Sequence, residues 1–216
     1  MFQVIPEGII SQEFIAVATF HILAAMSPGP DFAIVCRNSI SFGRRLGLAT
    51  AVGIALGLSV HILYCLVGIG VIISQSILLF NVMKLAAAGY LVWIGFKALR
   101  SKASDLQSFQ STKERLSAWG GFRDGFLTNV LNPKAALFFL ALFTVSVSHE
   151  TTVMTKIFYG VWMIFATMIW FGCVAVFFSN SRVRGVFSRI GHWFDRIMGG
   201  LLIALGVKIA TVSNAR

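Results

Sequence analysis

Apolar residues in this chain come in unbroken runs of about twenty, instead of alternating or recurring on one helical face. Six runs stand out: Ile9–Ile40, which is interrupted, then Leu46–Ile73, Phe80–Leu99, Phe122–Val147, Val153–Phe178 and Phe194–Val212. A bilayer's hydrocarbon core takes about 20 apolar residues per helix. Strands of an outer-membrane barrel would show ten-residue segments alternating apolar and polar, and these runs do not. The pattern predicts an all-α integral membrane protein with six transmembrane helices. Glu7 and Glu13 precede the apolar part of the first run and no basic segment does, so it reads as a span and not as a secretory signal. The only long polar stretch, Ser101–Gly121, is too short and Ser-rich to fold alone. One transmembrane domain over 1–216 is expected, with a first unit of about 1–100, a linker at 101–121 and a second unit of about 122–216.

Composition agrees: 57% of the 216 residues are hydrophobic and 12% charged, against roughly a quarter charged in a soluble domain. The net charge of +10 would suggest nucleic acid if it were spread over a surface. It is one-sided instead. Thirteen of the 18 basic residues, among them Arg44, Arg45, Arg100, Lys113, Arg182 and Arg189, fall in or beside the loops joining spans one-two, three-four and five-six. Lys156 and Arg216 fall on the opposite side, and Lys84, Lys134 and Lys208 within spans. The positive-inside rule then places those three loops in the cytoplasm and both termini outside, in the periplasm for a bacterial inner membrane. No nucleic-acid partner is expected.

The chain also repeats itself. Gly89–Lys97 (GYLVWIGFK) and Gly200–Lys208 (GLLIALGVK) share G-x5-G-x-K at an offset of 111, Ser27-Pro28 matches Asn132-Pro133 at 105, and Gly53 matches Gly160 at 107. Because each unit carries three spans, the second copy enters the membrane inverted, which predicts two inverted three-helix repeats.

Three of the four prolines, Pro28, Pro30 and Pro133, fall in the first span of each unit. Proline removes a backbone donor and obstructs the preceding turn, so helices 1 and 4 are expected to be broken there. Unpaired backbone groups cannot face lipid, and the breaks are therefore expected to meet inside the protein. A half-helix beginning at Pro30-Asp31 or Pro133-Lys134 turns its amide end toward the gap and attracts a carboxylate, while the other half offers open carbonyls to an ammonium group. Asp31 is the one acidic residue placed well away from a span end, with Lys134 and Lys84 as candidate partners. It can pair with Lys134 to hold the halves together, receive a cationic group, or carry a proton. Lys134 can bind substrate or cap the break, and Lys84, near a span end, can snorkel. His21, seven residues before Pro28, can relay protons or simply pack, and His61 reads as a packing residue. Asn129 and Asn132 suit either freed backbone groups or a ligand. The small residues of Gly53-x3-Gly57, Ala86–Gly89 and Gly95 suit close helix packing. Cys36, Cys65 and Cys173 have no CxxC or His-rich neighbour, so neither a metal site nor a cofactor is expected.

Ser27–Phe32 (SPGPDF), Lys84–Arg100 (KLAAAGYLVWIGFKALR) and Leu127–Phe139 (LTNVLNPKAALFF) resemble the lysine exporter superfamily, in particular its homoserine and threonine exporter branch, over essentially the full length. The resemblance implies a small bacterial inner-membrane carrier that exports amino acids, with efflux driven by the proton gradient. It places Pro28, Gly29, Pro30, Asp31, Lys84, Asn129, Asn132, Pro133 and Lys134 on family motif positions. Asp31 stands where exporters of basic amino acids usually carry a neutral residue, which argues for a different substrate from lysine. The expected partners are a small amino acid, a proton and the bilayer. A homo-oligomer is compatible too, because lipid-facing and subunit-facing apolar surfaces look alike in sequence. A channel or carrier for another small solute is the alternative. An intramembrane enzyme is less favoured, because Ser59 and His61 in "GLSVH" point in different directions on one helix and no oxyanion hole is evident.

Overall fold

The structure, a computed structural model, describes residues 11–27, 29–75, 77–100, 117–148 and 150–211. Pro28 and most of the expected linker lie outside the described residues. Among the described residues every regular element is a helix: α1 (Gln12–Met26), α2 (Pro30–Phe42), α3 (Arg44–Gln75), α4 (Ile77–Leu99), α5 (Ala118–Val130), α6 (Pro133–Ser146), α7 (Val153–Phe178) and α8 (Ser181–Thr211). Two stretches, Arg44–Val67 and Val153–Phe178, are long and apolar enough to cross a membrane singly, and Ala118–Val130 with Pro133–Phe143 qualify together across a 55° bend.

Side-chain caps set most of the helix starts. The hydroxyls of Ser11, Ser117 and Thr152 accept from the amides of Phe14, Gly120 and Thr155, satisfying donors that a first helical turn leaves open. Between α2 and α3 the chain turns at Gly43 with φ +89°, a left-handed conformation that favours glycine.

Helix α8 departs from the sequence pattern. The basic segment from Ser181 to Trp193, expected as a loop, is the first part of one 31-residue helix. Asn180 starts it by accepting the amide of Arg182 at 2.9 Å, and no proline follows to stop it. Asp195, which the pattern put at a span end, is consequently buried in mid-helix.

Close approach of helices rests on glycine at two seams. Along α3 and α5, a Cβ on Gly53 would strike the carbonyl of Phe122 and one on Gly125 the carbonyl of Thr50. Along α4 and α8, Gly95 and Gly199 pack on each other, whereas Gly89, expected to pack, faces open space. The two seams flank one large buried cluster that includes Leu58, Leu91, Phe139, Met163 and Leu202. At one end of the bundle the Glu13 carboxylate of α1 accepts from the Ser148 amide at 3.0 Å and the Thr151 hydroxyl at 2.9 Å, and Ser11 meets the Tyr159 hydroxyl at 3.3 Å. These bonds tie the start of α1 to α7 and to the α6–α7 connection.

Candidate functional site

The two proline-flanked gaps between helices face each other. In a continuous helix the Ala24 carbonyl would accept from the amide of residue 28, and that of Asn129 from residue 133; both positions are proline and have no N–H to give. Side chains from elsewhere take over. Lys134 Nζ, on α6, donates to the carbonyls of Ala24 at 3.2 Å and Ser27 at 2.7 Å at the end of α1. His61 Nε2, on α3, donates to the Asn129 carbonyl at 2.9 Å, which also accepts the Asn132 amide at 2.9 Å. His61 stacks on Phe139 and its Nδ1 lies 3.0 Å from the Tyr64 hydroxyl, so it packs as expected and also holds the gap.

A second bond crosses between the gaps. Asn129 Nδ2, on α5, donates to Asp31 Oδ2, on α2, at 2.9 Å. Asn132 caps α6 by accepting the Lys134 amide at 3.0 Å, and Pro133 follows as the first helical residue, where its missing N–H costs nothing. Gly29, at the start of α2, is extended (φ −178°) and leaves room for Lys134, whose Nζ would lie 3.3 Å from a Cβ there. Each half of the chain thus holds the other half's gap.

Around these groups lies a small, partly open cavity. Asp31, Gly29, Asn129, Asn132, Lys134 and His21, six of the residues singled out in the sequence, line it. Pro30 and Pro133 are exposed at the starts of α2 and α6 and are not part of its wall, and Lys84 is buried in α4 away from it. The sequence reading missed Ser27, Thr167 and the aromatic wall of Phe32, Phe138, Phe139 and Phe171. Thr167 offered no signal, being one threonine in an apolar run, and the phenylalanines were indistinguishable from lipid-facing ones.

Four buried polar atoms of the lining have no hydrogen-bond partner among the described residues: Asp31 Oδ1, Asn129 Oδ1, Ser27 Oγ and His21 Nδ1. Buried polar groups are nearly always paired, and these four are open to a polar partner. Among the described residues no cluster of His, Cys, Asp and Glu suits a metal ion.

The model of the LysE-type translocators matches residues 22–213. The chain belongs to that family. It is 31% identical over 203 residues to the threonine efflux proteins of Salmonella typhi and of Escherichia coli strain K12, covering 91% of this chain and 96% of each relative. It is 35% identical over 122 residues to a homoserine/homoserine lactone efflux protein of Salmonella typhimurium, 56% of this chain and 58% of that one. No solved structure matches it. The match to the translocators spans both gaps and every residue of the cavity wall except His21.

In this LysE-type chain, Lys134 is expected to be structural before it is anything else. Lys134→Met should leave the carbonyls of Ala24 and Ser27 unpaired at a cost of about 1–3 kcal/mol per group. A thermal unfolding midpoint of the purified protein in detergent should fall by several degrees, and an unchanged midpoint would mean other groups satisfy those carbonyls.

Proposed function

We propose that the protein is a secondary active exporter of small amino acids or their derivatives, of the threonine or homoserine kind, working by proton antiport across the bacterial inner membrane. The observation that carries this reading is the pair of unpartnered acceptors, Asp31 Oδ1 and Asn129 Oδ1, on side chains already bonded to each other in the cavity. Two acceptors and a negative charge suit an ammonium group. Beside Asp31, the first amides of α2 have no side-chain cap, and with Ser27 Oγ they suit the carboxylate of the same zwitterion. The names of the relatives, threonine efflux and homoserine/homoserine lactone efflux, support that substrate class.

In this reading α1 with α2, and α5 with α6, are each one interrupted span, giving six spans in two inverted three-helix units of about 1–100 and 122–216 joined by a cytoplasmic linker, with both termini periplasmic. Packing of α4 on α8 supports the repeat. Gly95 approaches Gly199 and Ile203, and Gly206 approaches Ala88 and Val92. Adding 111 to Gly95, Ala88 and Val92 gives Gly206, Gly199 and Ile203, so the contacts exchange under the repeat offset as a two-fold axis requires. The units would rock about the central gaps. Bonds from Glu13 to Ser148 and Thr151 would close the periplasmic end in the present state.

For transport, Asp31 as a carboxylate receives the substrate ammonium from the cytoplasm, and after the units rock it releases the substrate outward and takes up a proton for the return. One proton moving through about 150 mV supplies roughly 3.5 kcal/mol. That sustains a gradient of about two to three powers of ten for a zwitterion.

The test is release of metabolites from cells that carry or lack the protein, after dipeptides have raised internal amino acids. Threonine or homoserine appearing in the medium only with the protein is the expected result. Equal release from both kinds of cell, with the protein present in the membrane, would overturn the reading and favour another small solute.

A further inference from the structure

The cavity holds one polar feature that neither the ammonium nor the carboxylate of a substrate needs. His21, on α1, and Thr167, on α7, are both buried, and His21 Nε2 lies 2.9 Å from Thr167 Oγ1. Their surroundings are apolar: Phe139 and Trp162 meet the His21 ring edge-on, and Phe138 and Phe171 line the same cavity. His21 Nδ1 has no hydrogen-bond partner among the described residues.

We propose that His21 and Thr167 form the subsite that reads a hydroxyl on the substrate's side chain, so that the carrier selects hydroxy amino acids over apolar ones of the same size. This assignment rests on the exporter reading above. It follows from what the couple can and cannot satisfy by itself. If Nε2–H donates to Thr167, Nδ1 is left as a bare acceptor and the threonine proton is free to be given away. If the threonine donates to Nε2, Nδ1–H is a donor without an acceptor. In either arrangement Nδ1 is left without a partner, whereas a threonine proton not given to Nε2 can go to the Met163 carbonyl one turn back on α7. A hydroxyl both donates and accepts, and so completes the couple in each tautomer; a methyl group completes it in neither. A site built to bond a substrate hydroxyl rejects the analogue that lacks it, because its own buried polar atoms are then stranded.

The spacing suits a small substrate. His21 and Ser27 are six residues apart along α1, about 9 Å of helix rise. A hydrogen bond of about 2.8 Å at each end leaves a few ångströms between them. That remainder matches the distance from carboxylate to side-chain hydroxyl in a short hydroxy amino acid. Ala24 and Ala25 line the stretch between and take up little of its width.

The test uses two probes on one skeleton, threonine and 2-aminobutyrate, which differ by the hydroxyl. Cells loaded with both through dipeptides are followed for release of each, corrected for internal concentration. The ratio of the two is independent of how much protein is present. Wild type should favour threonine by about tenfold or more. Thr167→Val, which keeps the shape and removes the hydroxyl, should bring the ratio to within about twofold of one, largely by losing threonine export. Thr167→Ser, which keeps the hydroxyl and loses the methyl group, should retain the preference, and His21→Leu should abolish it. A wild-type ratio near one, or an undiminished preference in Thr167→Val, would overturn the assignment while leaving the exporter reading intact. Release of neither probe by wild type would overturn both.

Discussion

Cells carrying Asp31→Asn are expected to hold as much of the protein in their membranes as wild type and to export no amino acid against a gradient. The carboxamide keeps the shape of the side chain and can still meet Asn129, whose bond to Asp31 Oδ2 is 2.9 Å. What it loses is the charge beside the unpartnered Asp31 Oδ1 and the ability to carry a proton. A substrate ammonium in this half-buried position would then face a neutral dipole, and a charged group needs a charged partner once it leaves water. Export should fall to the level of cells without the protein, a loss of at least about a hundredfold if one charge-assisted bond of about 3 kcal/mol goes. The measurement is extracellular threonine over time at two external pH values, with membrane protein quantified in parallel. If Asp31→Asn exported normally and with the same pH dependence, Asp31 would be a structural residue and the proton would have to travel elsewhere. Glu13 does not offer that route in the present state, since its carboxylate is engaged with Ser148 and Thr151 at the bundle end.

Gly125→Leu is expected to damage the fold itself. A Cβ at Gly125 would run into the Thr50 carbonyl, with the Ile54 amide at 3.1 Å, and across the seam a Cβ at Gly53 would meet the backbone of Phe122 and Phe126. These are helix backbone atoms, already fixed by their own hydrogen bonds, and no rotamer change moves them aside. Helices α3 and α5 would have to separate, and overpacking of this kind costs about 1–3 kcal/mol or more. The damage reaches the site, because α3 carries His61 to the Asn129 carbonyl and α5 carries Asn129 to Asp31. Yield from membranes and the unfolding midpoint in detergent should both drop sharply. Gly89→Ala and Gly200→Ala are the controls: each added methyl would meet open space, so stability should be unchanged or slightly higher, as helix propensity favours alanine. Equal behaviour of Gly125→Leu and the controls would show that the α3–α5 seam yields more easily than its geometry implies.

The helical class was legible because the bilayer enforces it: runs near twenty apolar residues leave little else to fold into. Helix starts at Pro30 and Pro133 were legible for a local reason, the missing N–H and the fixed φ. Asp31 and Lys134, which stand right after those prolines in two separate blocks, both line the cavity, and Asn132, read as suiting a freed backbone group, accepts the Lys134 amide. The start of α8 was not legible, since charge density marked Arg182 to Arg189 as a loop, whereas a helix accommodates charges whenever one side is exposed. Nor was the close packing of Gly125 on Thr50, because sequence cannot say which glycine meets a neighbour: Gly89 and Gly125 look equally suited, and only one of them packs.

The sequence by itself determined that the chain is helical and apolar, where α2 and α6 start, and which few polar residues stand beside those starts. These are consequences of side-chain and backbone chemistry acting over a few residues. The tertiary structure alone decided who fills the gaps: Lys134 reaching 110 residues back to Ala24, His61 reaching 68 forward to Asn129, Asn129 crossing to Asp31, and Thr167 meeting His21 across α1 and α7. Such pairings depend on how helices turn and cross, which is set by the sum of many weak contacts over the whole bundle and is written at no single position.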